Sequence, residues 1–194
     1  MRSEPSDRAE MVNQLLKDDT FEIVRQDAKW SLVRCDYDGY EGWVDNKQWK
    51  LLDAVVCQQT TRVSEIKSTS PIQVAQENYL HAPYLWGGRT SMGIDCSGLT
   101  QVCFKACGIR LLRDASQQAT QGSAVGHLKE AEPNDLCFFA NENQRIVHVG
   151  IYMGDGRIIH ASGFVRIDRL DTTGIFDEEK QIYTHALHCI RRLV

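Results

Sequence analysis

Apolar and polar positions change their period partway along the chain. Between residues 10 and 55 the pattern is that of short strands: "TFEIVRQ" (20–26) and "KWSLVRC" (29–35) set Phe, Ile, Val, Trp and Leu at alternating positions. "YDGYEGWVD" follows, with glycines marking a tight turn before a third strand. Turns every eight to twelve residues with little helix predict a small antiparallel β-barrel over 1–56. Residues 57–71, "CQQTTRVSEIKSTSP", keep no apolar period and read as a linker. After Pro71 the period becomes helical, with Ile72, Ala75 and Tyr79 on one face. A second helix is predicted over 97–106, its buried stripe Leu99, Val102, Cys103 and Ala106 and its C′ residue Gly108. "DLCFFA", "HVGIYMGD", "RIIHASG" and "HALHCIRRL" then read as strands divided by polar turns. Helices first and strands afterwards predict an α+β domain over 72–194.

Composition narrows the function classes. With 22 basic and 26 acidic residues the net charge is -4, well mixed, so no basic stripe points to nucleic acid. No apolar run approaches the ~18 residues of a membrane span, and the polar amino-terminal stretch lacks the apolar core of a secretory signal. The expectation is a monomer without nucleic-acid or membrane partners, cytoplasmic as written, or periplasmic or extracellular if a leader was removed. The seven cysteines are an odd number without a CxxC pair, which offers neither a zinc knuckle nor a thioredoxin motif. They read as reduced thiols and mostly as small apolar core residues.

Cys96 differs from the rest, because it stands between Asp95 and Ser97 where the second helix starts. A free cysteine of pKa ~8.5 is only about 3% thiolate at neutral pH. A helix terminus adds ~0.3–1 kcal/mol, less than one pKa unit, so a cationic partner such as histidine is needed. His148 and His160 lie on consecutive strands with Gly154 at their numerical midpoint, and a hairpin centred there places the imidazoles opposite or nearly so. Cys96 is then the nucleophile, His148 the general base and acid, and His160 the residue that orients it. The plain alternative is a buried structural thiol and two ordinary histidines. Cys103, Cys107, Cys137, His81, His127, His185 and His188 are given that role. A Cys-His-His zinc site would lack the usual short ligand spacing, and neither metal nor cofactor is expected.

The motifs "PYLWGG" (83–88), "DCSGL" (95–99), "LLRDASQQ" (111–118), "PNDLCFF" (133–139) and "HVGIYMGDGRIIHASG" (148–163) follow in order. Together they resemble the NlpC-type cell-wall cysteine peptidases, a papain-like α+β family. Trp30, Val33 and Gly42-Trp43-Val44 resemble a bacterial Src-homology-3-like domain. The two-domain members resembled here are γ-D-glutamyl-L-diamino acid endopeptidases, which cleave murein peptides after L-Ala-γ-D-Glu. The resemblance places the family nucleophile on Cys96, its base on His148 and its third residue on His160. It implies an oxyanion and substrate role for Tyr84. Asp95 and Ser97 fall on positions that contact the free L-Ala amine and the γ-glutamyl link, and Arg113 and Asp114 on a pair supporting the cleft. Tyr40, with Glu41 beside it, matches a residue that caps the amino-terminal end of the substrate, although an exposed barrel aromatic accounts for Tyr40 equally well. Asn134 stands where the family commonly has glycine, and Ala115 where many members have serine. An amidase or acyltransferase on another amide, and a non-catalytic wall-binding module, are the competing readings.

Overall fold

The computed structural model describes residues 1–17, 19–49 and 70–193. The chain divides into two compact units, Met1–Lys67 and Ser68–Val194. Apart from residues 70 and 71, the expected linker lies outside the described residues.

In the first unit β1 (Phe21–Gln26), β2 (Trp30–Cys35) and β3 (Glu41–Asp45) form an antiparallel sheet in that order. Arg2 extends it, bridging to Trp43 through backbone hydrogen bonds of 2.7 and 2.8 Å. Trp30, Val33, Trp43 and Val44 are buried, so the tryptophan–valine pattern is the core of this unit. The alternation in β1 does not mark a buried face: Ile23 and Val24 are each 41% exposed. Buried Ser31 donates to Asn46 Oδ1 at 2.6 Å, and Asn46 Nδ2 reaches the Asp27 carbonyl at 3.0 Å, satisfying the polar groups where the β1–β2 turn meets β3. Among the described residues of this unit the strands make a three-stranded sheet with an edge bridge.

The second unit is α+β. Helix α1 (Pro71–Asn78) starts with Ser70 Oγ accepting from the Gln73 N–H at 3.2 Å and proline in the first turn. Its buried residues are Pro71, Val74 and Ala75, so the buried face is turned from the Ile72 face that spacing predicts. The short pair β4 (Arg89–Thr90) and β5 (Gly93–Ile94) leads directly into α2 (Cys96–Ala106), which stops at Gly108 with φ 80°. The four-residue α3 (Ala115–Gln118) follows.

Then come β6 (Ser123–Val125), β7 (Leu136–Ala140), β8 (Ile146–Gly154), β9 (Arg157–Ser162), β10 (Phe164–Leu170), β11 (Gly174–Asp177) and β12 (Ile182–Arg192). Their order is β11-β10-β9-β8-β7-β12-β6, and β11 also pairs with β12, so the sheet closes through β12. Of the three strands beyond the four expected from the period, β10 and β11 complete that ring and β6 lies beside β12. On the sheet's strands Phe138, Val149, Ile151, Ile158, Ile159, Val165 and Ile175 are fully buried, and Cys137, Phe139, Tyr152, Ile158, Leu170, Ile175 and Ile190 pack together as one cluster. Asn134 adopts φ 79°, a left-handed conformation that asparagine tolerates better than most residues, and its Oδ1 accepts from the Ile72 N–H at 3.2 Å. Its replacement of a glycine therefore keeps the turn and adds a tie to α1. No helix among the described residues is long and apolar enough to cross a membrane.

Candidate active site

Cys96 is the first residue of α2 and is buried. Asp95, the N-cap, accepts from the Gly98 N–H at 2.6 Å and from the Gly87 N–H at 2.7 Å. Gly98 is required here, because an added Cβ would collide with the Gly88 carbonyl oxygen. The same carboxylate receives Arg113 through both terminal nitrogens, at 3.0 and 2.6 Å, and the guanidinium also reaches Ser97 Oγ at 2.9 Å. Arg113 is only 1% exposed. Buried Gln118 adds bonds to the Ser97 and Leu112 carbonyls at 3.0 and 2.9 Å and receives the Thr100 hydroxyl at 2.7 Å. The first turn of α2 thus sits on a satisfied polar base, and Asp95 and Ser97 are parts of it. Gln118, which sequence reasoning did not single out, belongs to the same base.

Two backbone hydrogen bonds reach the Cys96 sulfur, from Val149 and from Ser97. Val149 follows His148 in β8, so the thiol lies against the strand that carries the expected base. Burial, with the charge on Asp95, pushes the thiol up to about 12, and the backbone bonds and the Arg113 cation pull it down by less. His148 is pushed well below its ordinary value by burial and then by His160 and His185. Both effects favour neutral species. Tyr84 is half-buried, and burial together with Cys96 and Asp95 raises its pKa, so its hydroxyl stays a donor.

The two histidines meet, though not face to face across the hairpin. The β8–β9 turn is Asp155-Gly156, with φ 50° and 66°, one step past the expected centre. With a register shift between Tyr152 and Gly154, His160 pairs with Gly150, and His148 lies diagonally from it. Gly150 makes the diagonal contact feasible: a Cβ there would come 2.9 Å from the His160 Cβ and 2.7 Å from Ile158 Cδ1. His148 Nε2 and His160 Nδ1 are 2.8 Å apart, and His160 Nε2 is 2.9 Å from Asp168 Oδ2 on β10.

The terminal carboxylate settles the tautomers. Asp168 only accepts, so His160 Nε2 carries its proton and His160 Nδ1 accepts from His148 Nε2–H. His148 Nδ1 is left as the basic nitrogen. Arg166 grips both Asp168 oxygens at 2.8 Å and lies 3.5 Å from Asp177 Oδ2. Burial works against the Asp168 charge, but hydrogen bonds from His160 and Arg166 outweigh it and hold the carboxyl below the usual range. Asp168 was missed in the sequence because β10 was missed; its signal is the alternation of Val165, Ile167 and the polar residues between them.

Other residues find less central places. Cys103 and Cys137 are fully buried in the apolar interior. In the first unit Tyr40 is half-buried just before β3, its carbonyl accepting from the Cys35 N–H at 2.9 Å. Glu41 is exposed and held by Arg34 at 2.7 Å.

Comparison with known proteins gives the family. Residues 81–184 match the NlpC/P60 family, and residues 1–48 match the bacterial dipeptidyl-peptidase Sh3 domain. A γ-D-glutamyl-L-lysine dipeptidyl-peptidase of Bacillus cereus is 38% identical over 105 residues, covering 52% of this chain and 31% of that protein. The Bacillus subtilis protein of the same name is 45% identical over 85 residues, 43% of this chain and 28% of its own length. This chain therefore spans under a third of each of these relatives. A crystal structure of a Bacillus cereus NlpC/P60 family protein superposes with TM-score 0.56 at 24% identity, covering 99% of this chain and 59% of that one.

Proposed function

The chain belongs to the NlpC/P60 family, and we propose that it is a cysteine endopeptidase that hydrolyses the γ-D-glutamyl-L-diamino acid bond of murein peptides bearing a free L-Ala amine. The observation that carries the reading is the hydrogen-bonded run from His148 through His160 to Asp168, with Val149, the next residue after the base, bonded to the Cys96 sulfur. A papain-like catalytic domain over 72–194, joined through 57–71 to a Src-homology-3-like barrel over 1–56, is part of the same proposal.

In this mechanism the Cys96 Sγ–H gives its proton to His148 Nδ1 as the sulfur bonds to the γ-carbonyl carbon of D-Glu. The backbone N–H of Cys96, at a helix start, and the protonated Tyr84 hydroxyl take up the oxyanion. His148 returns the proton to the diamino acid's nitrogen, the C–N bond breaks and a thioester remains. Water attacks the thioester carbon and gives a proton to His148. L-Ala-D-Glu leaves, and the proton restores the thiol. Throughout, His160 and Asp168 hold His148 in the tautomer that accepts at Nδ1. Asp95 supplies negative charge at the amine end, although five protein hydrogen bonds already occupy its carboxylate.

Mass spectrometry of products from L-Ala-γ-D-Glu-diaminopimelate and its N-acetylated form tests the proposal. Expected is release of L-Ala-D-Glu from the free peptide only, and none with Cys96→Ala. Equal cleavage of the acetylated peptide would turn the reading toward a broader amidase or acyltransferase using the same thiol. Full activity in Cys96→Ala would remove the nucleophile.

A further inference from the structure

We propose that His185 on β12 is a positioning residue for the base: stacked on His148, it holds that ring in its donating orientation toward His160 and sets the lower pH limit at which His148 can receive the thiol proton. This rests on the peptidase reading above and adds to it a fourth side chain that acts through the base.

His185 lies with its ring centroid 4.1 Å from that of His148 at an interplanar angle of 25°, a stacked contact. His160 meets the edge of His148 at 5.0 Å and 85°, and Phe139 on β7 lies 5.7 Å away, tilted by 47°. One face of the base is thus covered by His185 while its edge engages His160. Phe139 also meets the edge of His185, at 6.0 Å, and so holds both rings. His185 Nδ1 is 2.9 Å from Thr184 Oγ1, which steadies the ring from its own strand. The contact exists because the sheet closes: β12 pairs with β7 on one side and β11 on the other, which puts His185 beside a ring from β8, two strands away.

The groups that face His185 determine what its charge does. They are His148 from β8, His160 from β9 at 6.0 Å, and Asp168 from β10, whose charge acts on it. Phe139 from β7 and Ile175, opposite on β11, carry no charge. Catalysis requires His148 to be cationic after it takes the thiol proton. A neutral imidazole face stacked on that cation is favourable, whereas a second imidazolium at the same separation is repulsive. Protonation of His185 therefore blocks the proton transfer without touching the thiol. Burial, then His160, pushes His185 down to about 4 against the opposing pull of Asp168, which favours the neutral ring.

The test uses His185→Ala, which removes the ring, and His185→Phe, which keeps a stacking ring without a proton. Their kcat and KM on the murein tripeptide are measured from roughly pH 4 to 8. In parallel, iodoacetamide alkylation of Cys96 is followed by mass spectrometry over the same range. Expected is a fall in kcat of about tenfold with KM little changed in His185→Ala, most of it restored in His185→Phe. The acid limb of both profiles should move to lower pH in His185→Phe. Wild-type kcat and an unmoved limb in His185→Ala would overturn the proposal, as would His185→Phe being as impaired as His185→Ala. If the wild-type protein cleaves no peptide, the peptidase reading fails by itself. The alkylation profile then decides: a shifted limb in His185→Phe supports the role of His185, and coincident profiles overturn it.

Discussion

Two buried aspartates flank the candidate site, and the partner of each decides its role. Asp95 binds the guanidinium of Arg113, which never gives up its proton, so the pair is a constant charge that fixes the start of α2. Asp168 binds the imidazole of His160, whose other ring nitrogen meets His148 and so passes an orientation on to it. A carboxylate beside a permanent cation makes a frame. One beside a titratable ring, two hydrogen bonds from the base, selects a tautomer. The thiol side of the site is accordingly a rigid shelf, and the base side is a proton-ordering chain.

Substitutions can break this contrast or sharpen it. Arg113→Leu should have the largest effect, because it leaves Asp95 charged, buried and without its cation. A loss of about 3–5 kcal/mol in stability is expected, read as a lower urea midpoint. Lost activity with unchanged stability would end the claim that this pair is a frame. Asp168→Asn comes next. An amide can donate to His160 Nε2, which turns the chain around and puts a proton on His148 Nδ1. The expected result is a fall in kcat of roughly 10²–10⁴, with a smaller shift in urea midpoint than Arg113→Leu produces. Near-normal kcat would show that the tautomer is held by something else.

Gly150→Ala tests the diagonal contact more gently. The new Cβ meets Ile158 and His160, and overpacking of about 1–3 kcal/mol is expected, with reduced kcat from a displaced His160. Thermal unfolding and steady-state kinetics measure the two parts.

The smallest effect is that of pH on stability. His185 falls from its ordinary 6.5 to about 4 in the folded state, so the unfolded chain takes up this proton first on acidification. Its contribution is present above pH 6.5, is lost as pH falls through the interval, and has gone below about 4. His148, also lowered by burial, acts in the same sense. After allowance for the partial exposure of His185, its share is about 1–2 kcal/mol, checked by urea unfolding at pH 7 and near pH 4.5. Stability that rises on acidification through this range would contradict the burial of neutral rings.

The site was readable from the sequence wherever its geometry is local. Cys96 beside Asp95 announces a helix start, because an N-cap carboxylate accepts from the backbone three residues on, at Gly98. The hairpin carrying His148 and His160 is visible in its alternating residues and short turn, although the real turn at Asp155-Gly156 shifts their pairing to a diagonal. Arg113 could be named from its motif, but its bidentate grip on Asp95, 18 residues earlier, could not be seen from spacing.

Asp168 and His185 show the limit most clearly. Their strands are ordinary polar-flanked segments, and nothing near them in the chain marks them as parts of a site. What the sequence determined alone was the α+β order of elements, the helix start at Cys96 and the strand pair that carries His148 and His160, all through short-range patterns. Only the tertiary structure decided which carboxylate terminates the histidine pair and which ring covers the base. Those contacts join strands that are neighbours through sheet closure, and closure depends on long-range pairing that no local period encodes.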